Sequence, residues 1–344
     1  MYFRAGTLDD LLSRVFPVIL KSKTRLTASK GANSEIAGVS LELTQPRARL
    51  SRTESKGTIY SCIGEFLWYT AKSKDAAHMS YYLRRYTDYA EPDGTIWGAY
   101  GPRMFGGSPS QYNNIVRILR EKPTSRQAVI QLFDKNDIIS SHKDIPCTCT
   151  LQFLARDGIL DLITHMRSND AYLGLPHDIF SFTMLQEMLA SHLGLKVGRY
   201  RHLVGSLHIY DDFRPKVEQY LGEGLQSTAA MPPMPQGDQW KDIQGLMKVE
   251  STLRESGAAG VDSAMKMAES LRPYWADLAR LLGVFALTRG SKVRTDRLRK
   301  VVQLQEEMSS LYYKTYIRRR QKSITINTDQ LSLLGTSRVN GDGL

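Results

Sequence analysis

The chain has 344 residues, 42% hydrophobic and 24% charged, with a formal net charge of +11. This balance belongs to a soluble globular protein of one large domain or two ordinary ones, and excludes a disordered or fibrous chain. No run of about 18 apolar residues marks a membrane span; Arg4, Asp9, Asp10 and Arg14 break up the N-terminus as a signal peptide; and three cysteines make no disulfide framework, which suits a reducing cytoplasm.

Residues 7 to 21 place Leu8, Leu11, Leu12 and Val15 at helical spacing, with Pro17 bending or ending the helix. A polar loop is expected at 29 to 33, Ser-Lys-Gly-Ala-Asn, then a strand at 36 to 43. Residues 59 to 71 are too apolar for a surface helix and predict a buried one, with Glu65 in its middle. A charge there must be paired or must serve chemistry. Four tyrosines lie between 81 and 89. A glycine- and aromatic-rich loop, Trp97-Gly-Ala-Tyr100-Gly-Pro-Arg103, follows, then a helix at about 111 to 121 and a strand from Ala128 to Phe133.

Two apolar runs flank Arg156-Asp157-Gly158, a strong hairpin signal. Cys147 and Cys149 are two apart on the first strand and so share a face; without clustered His they make a poor zinc site, and no metal is expected. Ile179, Phe182, Leu185, Met188, Leu189 and Leu193 predict a helix over 178 to 193, capped by Gly194. Residues 202 to 210 read as another strand. Composition shifts at 222 to 238, where three prolines and small residues mark a linker or crossing loop. Helical spacing returns over 239–252, 261–287 and 293–321, and the residues from 325 to 344 form a polar tail. The order is a mixed α/β body to about 221, then a helical region over 239–324.

From Arg289 to Lys322 there are eleven Lys/Arg against three Asp/Glu. That excess of positive charge fits nucleic acid, a phosphorylated small molecule or a solvated helix face. The densest chemistry lies elsewhere, between 144 and 178. Cysteine is a strong nucleophile once nearby cations stabilise its thiolate, and Arg167 stands across a hairpin from Cys147.

Pro146-Cys147, Gln152-Phe153, Arg167-Ser168-x-Asp170, Leu173-Gly-Leu-Pro-x-Asp178-Ile179 and His208-x-Tyr210 occur in one order. Upstream stand Glu65-Phe-Leu-Trp68, Tyr100-Gly101 and Ser125-Arg126. Together they resemble the thymidylate synthase family, including its pyrimidine hydroxymethylase branch, over roughly residues 25 to 220. The resemblance implies an α+β fold: a mixed sheet with packed helices, here with a helical C-terminal extension. It implies a homodimer and 5,10-methylenetetrahydrofolate as one-carbon donor. Cys147 would add to C6 of a pyrimidine nucleotide, Glu65 would organise water and protons, and Tyr100 would help remove the C5 proton. Arg167 and Ser168 would bind the 5′-phosphate, with Arg126 reaching over from a second subunit. His208 and Tyr210 would hold the sugar, and Asp170 and Gly174 would line the folate side.

Five departures qualify the match. Thymidylate synthases have asparagine where Asp178 stands. An amide complements the uracil edge; a carboxyl suits cytosine, taking the amino proton and, when protonated, donating to N3. The other reading of Asp178 is a helix N-cap. Ser181, one turn on, is a candidate to face the sugar or base. Lys30 stands for the arginine of the N-terminal phosphate loop, Gln127 for the second arginine of the pair, and Thr148 for a histidine after the nucleophile. The chain closes Asn-Gly-Asp-Gly-Leu, unlike the apolar tail that seals a synthase site, which implies a wetter site and hydroxymethylation. The expected activity is therefore C5 hydroxymethylation of CMP or dCMP. The alternatives are a thymidylate synthase acting on dUMP, a retired family member binding nucleic acid through its basic C-terminal helices, or an enzyme that also binds nucleic acid through Arg318-Arg319-Arg320.

Overall fold

The computed structural model describes residues 1–28, 31–290, 292–322 and 324–326. Lys30 and all but the first two residues of the polar tail, including the closing Asn-Gly-Asp-Gly-Leu, lie outside the described residues. The chain divides into two compact units, Met1–Met247 and Lys248–Leu344.

The first unit is an α+β body. Its elements are β1 (Tyr2–Ala5), α1 (Leu8–Leu20), β2 (Arg25–Ala28), β3 (Gly31–Leu43), α2 (Ile59–Thr70), α3 (Ala76–Tyr82), α4 (Tyr100–Phe105) and α5 (Gln111–Glu121). There follow β4 (Val129–Gln131), β5 (Thr148–Arg156), β6 (Ile159–Asp170), α6 (Gly174–Leu193), β7 (Lys196–Tyr210), α7 (Arg214–Gly222) and α8 (Trp240–Ser256), the last crossing the division. Six strands run in the order β1-β3-β7-β6-β5-β4, and β2 pairs with β3. β6 and β7 are parallel, so the chain must cross over between them, and α6 is that crossover.

Several local outcomes differ from the pattern in the sequence. Pro17 neither ends α1 nor opens it: the helix runs on, with Lys21 N–H reaching the Pro17 carbonyl at 3.2 Å. Leu8, Leu11, Leu12, Val15, Phe16 and Ile19 are all buried along one face, and that burial outweighs one missing amide bond. Residues 31 to 33 belong to β3 rather than to a loop, because they pair with β2. The Tyr100 stretch is a short helix. Its Gly101 allows close approach to α2: a Cβ there would stand 2.5 Å from the Tyr69 carbonyl oxygen. The expected hairpin is present, with Asp157 at φ 50° and Gly158 at φ 73° forming the two-residue turn. The β5–β6 register slips between Thr148 and Thr150, and this bulge shifts the alternation so that Thr148 and Leu151 are both buried.

α6 is buried along nearly its whole length and packs on β6, β7 and α2. Midway along it Glu187 pairs with fully buried Arg49, and its other oxygen accepts the Met234 N–H at 2.9 Å. Segment 223–239 has no helix or strand; Met231 and Met234 are buried, and Met231 N–H bonds the Arg47 carbonyl. Glu187→Ala strands the Arg49 charge and frees this segment. We expect a loss of roughly 3–5 kcal/mol in urea melts; a loss under about 1 kcal/mol would equate the pair with an exposed one and refute the argument.

The second unit is helical: α9 (Val261–Ala268), α10 (Pro273–Leu287), α11 (Thr295–Glu306) and α12 (Lys314–Lys322), with a short parallel pair β8 (Lys292–Val293) and β9 (Thr325–Ile326). The helical stretch at 261–287 is two helices, because Pro273 opens the second. Buried α10 forms the core of this unit, with α9 and α11 against it. Asp277 on α10 accepts the Ser309 and Ser310 N–H groups, both at 2.9 Å. Of the three consecutive arginines, Arg320 bonds Thr288 and lies over Phe285, and Arg319 lies over Tyr316. Two of the three are thus committed within their own unit.

Candidate active site

A cavity of about 670 Å³ opens in the first unit, between the C-terminal ends of β6 and β7, the start of α6, and α2 with α4. That volume suits a small-molecule site, commonly about 300–1,000 Å³. Its wall includes Glu65, Tyr100, Cys147, Arg167 and Ser168, and also Asp170, Gly174, Asp178, His208 and Tyr210. Residues more than 140 positions apart in the chain are therefore brought to one surface. Arg126 does not line it; the side chain is exposed beyond the short strand β4, and its carbonyl accepts from Gln152. Ser181 does not line it either, though it is buried one turn after Asp178 on α6.

Cys147 sits just before β5, where the Arg167 N–H bonds its carbonyl at 2.9 Å. The guanidinium of Arg167 is held by the Pro146 and Ile145 carbonyls, both at 2.9 Å. From there its Nη2 points at Cys147 Sγ, 3.6 Å away. A fixed cation beside a sulfur favours the thiolate, the nucleophilic form. Cys149, by contrast, is off the cavity, and burial raises its thiol.

Among the described residues Glu65 has no ion-pair partner. Its Oε1 accepts from the Tyr69 hydroxyl at 2.9 Å and the Tyr86 hydroxyl at 2.8 Å. Its Oε2 is buried on the cavity side of α2 with no hydrogen-bond partner. A buried carboxylate oxygen without a donor is costly, and a ligand or a water in the cavity would relieve it. Burial and Glu65 together raise both tyrosines well above the usual phenol range, so they remain donors.

The Tyr100 hydroxyl accepts from the Thr148 N–H at 3.1 Å and the Thr148 hydroxyl at 3.0 Å. With both acceptor positions in use, its own proton is free to point into the cavity. Burial, then Asp178 and Cys147, keep Tyr100 protonated. Thr148 thus anchors the phenol rather than facing the ligand.

Asp178 lies in the second turn of α6, which begins at Gly174, so it is not an N-cap. The turn before the helix is capped instead by Asp170, whose Oδ1 accepts the Tyr172 and Leu173 N–H groups at 2.8 and 2.9 Å. Asp178 Oδ2 accepts from Asn169 Nδ2 at 2.7 Å. Burial first, then the Glu65 charge, push its carboxyl well above the ordinary range, with Asn169 opposing. A neutral carboxyl offers one donor and one acceptor.

His208 and Tyr210 close the far side of the cavity at the end of β7, with ring centroids 4.9 Å apart and nearly perpendicular. Sequence reasoning missed several residues of the wall. Asn169 is the unassigned position in Arg167-Ser168-x-Asp170. Asn33, at the end of the phosphate-loop stretch, is buried, with an Oδ1 that has no partner. Arg85, among the tyrosines, is with Arg167 one of two arginines on the described wall. Alternating polar strand residues and tyrosine clusters were the available signals, and neither identifies a cavity. Among the described residues no group of three His, Cys, Asp or Glu is placed to hold a metal, and no helix is long and apolar enough to cross a membrane.

A family model described as thymidylate synthase matches residues 28–245 of this chain. The match spans the whole cavity except Leu26.

Proposed function

The chain belongs to the thymidylate synthase family, whose members transfer a folate-borne one-carbon unit to C5 of a pyrimidine nucleotide and are typically dimeric; from that premise we propose that it hydroxymethylates C5 of a cytidine 5′-monophosphate, CMP or dCMP. The observation that carries the choice of base is Asp178, a buried carboxyl on the cavity wall whose surroundings favour its protonated form. Its hydroxyl matches the N3 acceptor of cytosine, and its other oxygen matches the N4 amino donor.

In this reading Cys147 Sγ bonds C6 of the base, and the ring electrons shift so that C5 becomes the nucleophilic carbon. Arg167, 3.6 Å from Sγ, would steady the thiolate for attack and, with Ser168, takes the 5′-phosphate through a charge-assisted bond. This chain's cavity has few cations, so Arg126 of a second subunit would complete the clamp, and Lys30 would join it. His208 and Tyr210 hold the sugar hydroxyl.

Trp68, Ile96, Leu173 and Phe213 add apolar and aromatic wall to the cavity, which suits a reduced folate, with Asp170 and Gly174 lining its side. When bound, 5,10-methylenetetrahydrofolate supplies the one-carbon unit that C5 takes. Tyr100, with its proton directed inward, would hold by donation the water that takes the C5 proton out to solvent. Glu65 Oε2, an acceptor without a partner, holds a water where the new exocyclic carbon needs one. As the C5 proton leaves, the one-carbon unit would part from the folate nitrogen, that water would add to the exocyclic carbon, and Cys147 Sγ would depart from C6 as the ring double bond re-forms, giving the hydroxymethyl nucleotide.

The direct test incubates the enzyme and methylenetetrahydrofolate with CMP, dCMP or dUMP, and reads product mass and dihydrofolate. A hydroxymethylated cytosine nucleotide without dihydrofolate is expected. Dihydrofolate formed with dUMP, and no cytosine product, would overturn the proposal in favour of a thymidylate synthase.

A further inference from the structure

Behind Asp178 runs a file of buried side chains from β7 through β6 to α6. The Tyr200 hydroxyl lies 2.6 Å from His202 Nδ1. His202 Nε2 lies 3.2 Å from Asn169 Oδ1, and Asn169 Nδ2 lies 2.7 Å from Asp178 Oδ2. Tyr200 is 1% exposed, His202 0% and Asn169 3%, so no solvent competes for these bonds. The direction of each link can be worked out. Asn169 Oδ1 only accepts, so His202 must carry its proton on Nε2. Burial lowers His202 to a pKa of about 3, so the ring is neutral and Nδ1 accepts from Tyr200. The amide of Asn169 is thereby held with its N–H toward Asp178.

We propose that Asn169, aligned by His202 and Tyr200, is a positioning residue that sets which oxygen of Asp178 donates and which accepts toward the pyrimidine, and so sets cytosine over uracil. The inference rests on the reading above, in which Asp178 faces the base edge. A neutral carboxyl by itself is ambiguous. If either oxygen carries the proton, it fits the N3 acceptor and N4 donor of cytosine, or the reversed N3 donor and O4 acceptor of uracil. An amide N–H donated to Oδ2 makes that oxygen the acceptor and leaves the proton on Oδ1. Oδ2 keeps one further lone pair for the N4 amino group, while Oδ1–H meets N3. Against uracil the same order sets a donor opposite the N3–H, a mismatch that a buried site penalises heavily.

Gly174 is part of the device. A Cβ at that position would stand 3.0 Å from Asn169 Nδ2 and 3.5 Å from Asp178 Oδ2, tight against the bond itself. The leading glycine of Gly-Leu-Pro leaves the space in which the two side chains meet.

The test measures dissociation constants of CMP against UMP, and of dCMP against dUMP, by calorimetry on the full chain without folate. Asn169→Ala and Asn169→Leu are expected to lower the cytosine-to-uracil preference by about tenfold or more, the scale of one misdirected buried hydrogen bond. His202→Leu is expected to lower it in the same direction. His202→Gln, whose amide N–H still reaches toward Asn169 Oδ1, is expected to keep most of it, which a merely structural role would not produce. A cytosine preference unchanged in both folded Asn169 variants overturns the inference and leaves the substrate reading standing. If those variants do not fold, equal ratios in His202→Leu and His202→Gln overturn it. A parent protein that binds both bases equally sinks the substrate reading itself.

Discussion

Cys147→Ala is expected to abolish turnover, lowering kcat by a factor on the order of 10⁴ or more, since among the described residues no other thiol lines the wall to supply the covalent step. Cys147 is placed for that step by its neighbours rather than by its own strand. The Arg167 N–H fixes its carbonyl, and the Arg167 guanidinium, tied to two carbonyls, stands 3.6 Å from the sulfur. A sharper readout needs no folate. Addition of Sγ to C6 makes C5 basic, so the parent protein in deuterated water should exchange the C5 hydrogen of its nucleotide. Cys147→Ala should not. Cys149→Ala should behave as the parent does, because that thiol is off the cavity and its raised pKa keeps it protonated. Turnover retained in Cys147→Ala would end the covalent reading.

Asp178→Asn is expected to move base preference from cytosine toward uracil by about 10²–10⁴ in kcat/KM, the range for a buried polar edge whose partner is reversed. An amide matches uracil with its N–H to O4 and its carbonyl to N3–H; that order gives up the bond from the Asn169 N–H, one buried hydrogen bond against the two that the matched uracil edge makes. Unchanged preference would remove Asp178 from recognition. A second readout is stability. The folded carboxyl is raised above its ordinary value of 3.8, chiefly by burial. A raised carboxyl contributes stability that is fully present below the unfolded pKa and is lost as pH rises through the folded one. The asparagine variant does not titrate. Without nucleotide, its Tm relative to the parent should therefore rise on going from acid pH toward neutrality. A difference that stays flat with pH would mean that the folded carboxyl is not raised.

Much of this protein was legible in one dimension, and for a physical reason. The α6 helix, the Asp157–Gly158 turn and the buried α2 depend on spacing, turn chemistry and apolar density, which neighbouring residues carry. Likewise the short motifs around Cys147, Arg167 and Asp178 lie on segments whose order sufficed to name a family, and that family is the one the chain belongs to. The polar stretch at 31 to 33 misled because pairing with β2 made it strand, and the bulge in β5 has no mark in the local sequence.

By itself, then, the sequence determined the α+β class, the family and the residue types available for chemistry. The tertiary structure decided how those residues act. It gave Glu65 two tyrosine donors in place of a cation, and used Thr148 to anchor Tyr100. It also brought Tyr200 and His202, more than thirty residues from Asn169 in the chain, into one file with it behind Asp178. Hydrogen-bond direction and desolvation depend on distances of a few ångströms between strands that are not neighbours in the chain. No periodicity or motif encodes them, because they exist only once β6, β7 and α6 have packed together.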